Sequence, residues 1–239
     1  MTCAVISGLR GGDATSRDAE GGVFASVILD WGHPSVEQFY ADITHEAMSE
    51  PEFLVAAHRV IQQRIRAVYA LDDTQPVSVT LGRGRGSCSQ RLAVLEALAR
   101  RHGIATRVTG LILRGEFWYP RFRRLHAFIP EYVLLAWPEF LIDGNWCDVS
   151  EVLVEPTETT SFEPFANAGA ETLFDALSRA PIRWTEASSC DCLDFSEFVD
   201  EELGTFDSRD ALFAEFGQTM SAPIRAVIDP VFRNWSASG

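Results

Sequence analysis

A lone cysteine follows a glycine-arginine run in LGRGRGSCSQRLAVLEALARRHG, residues 81–103. Leu92, Leu95, Leu98 and Ala99 recur at helical spacing, Ser87 fits an N-cap, and Arg100, Arg101 and His102 before Gly103 make a basic last turn with a glycine stop. Cys88 therefore falls in the first turn of an amphipathic helix. Unpaired backbone N–H groups and the helix dipole favour a thiolate there, and Arg83 and Arg85 add positive charge. Such a thiolate is a nucleophile. The competing reading is a small buried hydrophobe. Downstream, RGEFWYPRFRRLHAF, residues 114–128, interleaves four arginines with Phe117, Trp118, Tyr119, Phe122 and Phe128. This run could bind a polyanion carrying an apolar tail, or cover the edge of a core. Glu116 and His126 within it, and Asp148 further on, are the groups able to serve as a base.

These residues need a frame. Residues 1–21 read as a loosely held, glycine-rich start, and Gly22 to Trp31 as a strand. Val36 to Met48 and Pro51 to Leu71 read as helices, with Pro51 suited to a first turn. His45 and His58 lie within them and read as structural or solvent-facing. Beyond Gly103, Ile104 to Leu113 reads as a buried strand. Tyr132–Ile142 and Asn145–Val154 are strand-like runs joined by Asp143-Gly144, a two-residue hairpin signal. That turn fixes a register: Ile142 faces Asn145, Glu139 faces Asp148, Trp137 faces Ser150 and Leu135 faces Val152. Leu135, Trp137 and Glu139 then share a sheet face with Asp148 and Ser150.

The composition changes near residue 155. We expect a core domain over 1–155 and a smaller acidic, mainly helical subdomain over 156–239. The chain has 239 residues, 46% of them hydrophobic, enough for a sizeable core. No run approaches a membrane span and the start lacks a signal-peptide pattern, so the expectation is a cytoplasmic protein. The five cysteines (Cys3, Cys88, Cys147, Cys190, Cys192) show neither a disulfide framework nor a metal-site spacing, and no metal is expected. All twenty basic residues are arginine and the net charge is −14. Ten arginines nevertheless lie in residues 81–126 against Glu96 and Glu116, whereas residues 151–239 hold seventeen acidic residues and five arginines. A positive island in an acidic chain suits an anionic substrate arm or an acidic partner rather than nucleic acid, or else pairs internally with the acidic C-terminal part.

A cysteine opening a helix, GIATR fifteen residues later and then AWPEFLIDGNWCDVS together resemble the transglutaminase-like superfamily of papain-fold thiol enzymes, over about residues 77–155. In that family a hairpin of the form HxWxE followed by G-x-W carries the catalytic histidine and aspartate. Here the histidine position falls on Leu135 and the aspartate position on Ser150, with Asp148 two residues earlier. The resemblance implies an α+β fold, a papain-like core whose nucleophile helix packs on an antiparallel sheet.

The missing imidazole bears on the chemistry. Amide hydrolysis needs a group to protonate the leaving amine and activate water. A thioester needs neither, because its leaving thiolate requires no proton. An acyl-Cys88 without a base aimed at water would persist until an internal nucleophile attacked it. The chain looks like a small group that works this way, the Dieckmann cyclases that off-load hybrid polyketide-peptide chains as tetramates or pyridones. That resemblance implies a covalent acyl-Cys88, no diffusible cofactor and, as donor, a peptidyl carrier protein bearing a phosphopantetheine thioester. Neither nucleic acid nor membrane is implied. It leaves the base open among His126, Asp148 and Glu116. Trp137, Leu135 and Trp118 would wall the pocket, while Arg83, Arg85 and the Arg121-Arg123-Arg124 cluster would meet the carrier. Two alternatives stand beside it: an acyltransferase or amide synthase of transglutaminase-like type, and a degenerate module that binds through the old cleft without chemistry.

Overall fold

The computed structural model describes residues 18–44, 48–123, 128–154, 165–185 and 192–236. The sequence builds α1 (Pro34–Ala41), α2 (Glu50–Arg64), β1 (Arg66–Ala67), α3 (Val77–Arg83), β2 (Arg85–Gly86), α4 (Cys88–His102) and β3 (Thr106–Arg114). After a 3-10 turn at Gly115–Trp118 come β4 (Tyr132–Ile142), β5 (Asn145–Asp148), α5 (Val149–Leu153), α6 (Leu173–Ala176), β6 (Ile182–Arg183) and β7 (Leu193–Asp194). A second 3-10 turn, Ser196–Phe198, leads to β8 (Val199–Phe206), α7 (Arg209–Phe216) and α8 (Ala222–Phe232).

The central helix is α4. Every residue from Gln90 to Arg100 is buried. It packs against α2 and α3 and against the sheet, so its polar face is inside as well as its apolar one. Burying Leu92, Leu95 and Leu98 contributes about 1.5–3 kcal/mol each, and the ends are fixed locally. Ser87 accepts from the Gln90 N–H while Gln90 returns a bond to the Ser87 N–H, each at 3.2 Å. Gly103 closes the helix at φ 98°, a left-handed geometry that costs glycine nothing.

The main sheet is antiparallel in the order β5-β4-β3-β8. Asp143 (φ 49°) and Gly144 (φ 80°) form the expected hairpin turn, and the pairs Glu139/Asp148 and Ile142/Asn145 follow from it. The second arm is shorter than the pattern suggests. At Asp148 the chain turns into α5, so Ser150 and Val152 do not pair with Trp137 and Leu135. The cause is local: the Asp148 carboxylate accepts the Ser150 N–H at 2.7 Å and caps α5. Leu135 and Trp137 still share one face, opposite to that of Ala136 and Gly110, which pair across β4 and β3. A Cβ on Gly110 would lie 2.8 Å from Leu212, so this glycine lets α7 press onto the sheet.

Other elements depart from the pattern reading. Gly22–Trp31 holds a single bridge, Gly22 to Thr106, rather than a strand. Helix α1 ends at Ala41, and α2 ends at Arg64 because the chain there leaves to pair β1 with β2 in parallel. The chain after residue 155 supplies β8 to the central sheet as well as α6, α7 and α8.

Candidate active site

Cys88 is half-buried at the first position of α4. Three segments hold that turn in place. The loop between β1 and α3 lies against it: the Asp72 carbonyl accepts from Gln90 Nε2 at 2.8 Å, and the Asp73 carboxylate hydrogen-bonds with Ser89. From α7, the wholly buried Arg209 donates from Nη1 to the Ser89 hydroxyl at 3.1 Å, from Nη2 to the Ala136 carbonyl at 3.2 Å, and from Nε to Glu96 at 2.5 Å. One guanidinium therefore spans the distance between the cysteine turn and the β4 residue next to Leu135. The third segment follows α7, where Gln218 accepts from the Asp73 N–H at 3.0 Å and the Thr219 hydroxyl accepts from the Leu134 N–H at 3.0 Å.

Asp73 was not among the residues that pattern and spacing bring forward. It is half-buried, and desolvation pushes its carboxyl from 3.8 up to about 6, against the opposing pull of Ser89 and Arg209. Pairing of Asp72-Asp73 with the first turn of α4 is long-range and leaves no local signal.

The hairpin presents its own buried carboxylate. Trp137 Nε1 donates to Asp148 Oδ2, while Oδ1 accepts from the Ser150 N–H and hydroxyl at 2.7 and 2.6 Å. Both oxygens of Asp148 are engaged, and burial raises its carboxyl from 3.8 to about 6. Glu139 on the same face accepts from Arg107 at 2.7 Å and from Thr109 at 2.5 Å, so it orders the hairpin. A cavity of about 770 Å³ opens there, bordered by Trp137, Asp148, Thr109, Leu111, Trp184 and Glu202 among others. Trp137 is 2% exposed and meets Trp184 edge-on at 5.3 Å. Leu135 is 7% exposed. Neither Cys88 nor Leu135 lines this cavity.

The remaining residues expected in the site are scattered. Glu116 is exposed, while Trp118 is half-buried against Phe117 with ring centres 4.8 Å apart. His126 and Arg124 lie outside the described residues, as do His45 and Cys190. Arg83 is exposed and donates to Gln75; Arg85 is half-buried and its Nε makes no hydrogen bond. Arg121 is latched onto Asn167, Tyr69 and the Gly169 and Glu171 carbonyls. Much of the positive island is internal: Arg91 pairs with Asp175 at 2.9 Å, Arg107 with Glu139, and Arg100 donates to Thr106 and to the Phe24 and Asp207 carbonyls.

Cys147 is a free thiol that burial pushes up, and Cys192 is disulfide-bonded, although the cysteine spacing shows no disulfide framework. His58 is buried under Phe174 and donates to its carbonyl at 2.7 Å, the structural one of its two expected roles. Among the described residues no group of His, Cys, Asp and Glu is arranged to hold a metal ion, and no helix is long and apolar enough to cross a membrane.

Residues 37–150, just under half of the chain, match the family model of the transglutaminase-like superfamily. The match spans both Cys88 and the hairpin. No curated protein matches the chain. Among solved structures, a Cytophaga hutchinsonii protein provisionally described as a cysteine protease is similar at 17% identity and a TM-score of 0.38. The likeness covers 53% of this chain and 39% of that one, so the chain spans about two fifths of that protein.

Proposed function

We propose that this protein is a cysteine-dependent acyl-transfer enzyme and, more narrowly, a Dieckmann cyclase. Cys88 takes a β-keto acyl-aminoacyl chain from a carrier-protein thioester, and the chain leaves by intramolecular C–C bond formation as a tetramate-type ring. One observation carries this reading: at the β4 position where the family resemblance puts the imidazole, next to the Ala136 carbonyl that Arg209 holds, this chain has Leu135, buried and apolar. Cys88, at the start of α4, is the nucleophile of this reading. Without a water-activating ring beside it, the acyl-cysteine survives long enough for a tethered carbon to compete, and tethering is worth an effective concentration of about 10⁵ M or more.

The acyl arm and its pantetheine are anionic and apolar by turns. Arg83, Arg85 and Arg123 offer the charge, and Trp118, Trp137 and Leu135 the apolar walls. The partner is a peptidyl carrier protein, and the reaction needs no diffusible cofactor.

Incubation with a synthetic N-acetylcysteamine thioester of an N-(3-oxoacyl) amino acid tests the proposal. Peptide mass spectrometry should find the acyl group on Cys88 alone, and chromatography should find the ring in excess over free acid. An amide formed with an added amine would instead identify an amide synthase, and free acid a thioesterase. A Cys88 that reacts no faster than glutathione at neutral pH would mark a binding module without chemistry.

A further inference from the structure

Ring closure needs a group that removes a proton from the carbon between the two carbonyls, and the residues first considered for it are poorly disposed. Both oxygens of Asp148 are bonded to Trp137 and Ser150, and Glu116 is out in solvent. Resting on the reading above, we propose that Asp73 is this base. Its loop lies against the first turn of α4, and its carboxylate meets Ser89, the residue after Cys88.

Its surroundings hold it there. The Asp73 N–H donates to Gln218, and Gln218 Nε2 donates to the neighbouring Thr74 hydroxyl at 2.8 Å. The charged groups facing it are Arg209 and Arg225, which favour its ionised form, and Asp72, which opposes it. Arg225 lies 3.8 Å from Asp72, and Arg209 is itself tied to Glu96. The net result is a carboxyl raised to about 6. It is a stronger base than an ordinary aspartate and still ionised at neutral pH.

The step balances as follows. The methylene C–H gives its proton to Asp73. The electron pair left on carbon attacks the carbonyl of the acyl-cysteine and forms the C–C bond. The C–S bond breaks, and the Cys88 thiolate leaves and stays available for the next chain. Asp73 returns its proton to water. The earlier step, exchange of one thioester for another, makes no demand on the base.

The experiment uses the same thioester and follows two events on one sample: the mass of acyl-Cys88 after rapid quenching, and the ring released. Asp73→Asn should leave acylation within about threefold and slow ring release by on the order of 10²–10⁴-fold, so that acyl-enzyme accumulates. Asp73→Glu should recover part of the ring-release rate. In the wild type, ring release should fall as pH drops through about 6, whereas Asp73→Asn should lose this limb. Equal loss of acylation and ring release in Asp73→Asn would mean that the carboxylate only positions the turn, and unchanged ring release would mean that it has no part. Either overturns the assignment, as does a wild-type rate flat between pH 5 and 8. Failure of wild-type Cys88 to acylate would instead remove the function on which the assignment rests.

Discussion

Replacing Arg209 by methionine tests the frame of the site most directly. Arg209 and Glu96 are each 0% exposed, 2.5 Å apart and 113 residues distant in sequence. The second Glu96 oxygen makes no hydrogen bond, so Arg209 is the cation bonded to the carboxylate, with the charge of Arg100 acting on it from further off. Removing Arg209 leaves a buried carboxyl that must take up a proton or lose stability. Breaking such a pair costs about 3–5 kcal/mol, and the lost bonds to Ser89 and the Ala136 carbonyl add about 1 kcal/mol each. For a chain of this size 1 kcal/mol corresponds to about 2–4 °C. A fall in Tm of roughly 10–30 °C follows. The double variant Arg209→Met/Glu96→Leu removes both charges and should recover about 3 kcal/mol relative to the sum of the singles. Urea unfolding followed by circular dichroism measures all four corners of the cycle. A single substitution costing under about 1 kcal/mol, or a double costing the sum of the singles, would refute the argument that this pair binds α7 to α4.

Two buried groups set opposite pH trends. Burial lowers His58 from 6.5 to about 4, so the unfolded chain takes up a proton before the fold does, and stability is lost as pH falls through that window. His58→Gln, which keeps a donor for the Phe174 carbonyl, should flatten the loss in pH-dependent urea midpoints. Asp148 is raised from 3.8 to about 6, so its contribution is greatest below about 4 and declines as pH rises through 6. Asp148→Asn should remove that decline, and an unchanged pH profile would contradict the burial argument. Leu135→His should turn products from ring toward free acid on chromatography, at a stability cost of about 1–3 kcal/mol for a polar group in a buried position; an unchanged ratio would sink the argument from the missing imidazole. Raising salt from about 50 to 500 mM should weaken the apparent affinity for carrier-bound substrate, since screening then acts within a few ångströms. No change would make the exposed arginines irrelevant to docking.

What the sequence discloses is what is local. The 3.6-residue period, a serine N-cap and a glycine stop determine α4 within their own span, and Asp143-Gly144 sets the β4/β5 register through turn geometry alone. The early end of β5 was also locally encoded. Asp148-Val149-Ser150-Glu151 places a capping aspartate three residues before a glutamate, a helix start that the alternating apolar residues obscure. In β8 the exposed Asp200, Glu201 and Glu202 line an edge strand whose charge deters further pairing, and this makes the segment look like a solvated acidic run.

Arg209 and Asp73 are different. Nothing near Arg209 distinguishes it from the other four arginines of the acidic C-terminal part. Its role arises only when α7 brings it to Glu96, Ser89 and the Ala136 carbonyl together. Asp73 likewise stands in a run, Asp72 to Pro76, whose composition signals only a loop. Burial raises its carboxyl against the pull of Ser89 and Arg209, at a place where α4, α7 and the turn after α7 come together. The charge imbalance between the arginine island and the acidic tail was visible from the start, and its physical meaning is now divided. Arg91 and Arg107 neutralise carboxylates within the fold, and Arg100 holds backbone carbonyls. Arg83 and Arg123 remain on the surface. Any electrostatic attraction of a carrier therefore rests on far fewer arginines than the count along the chain suggests, and its salt dependence should be correspondingly shallow.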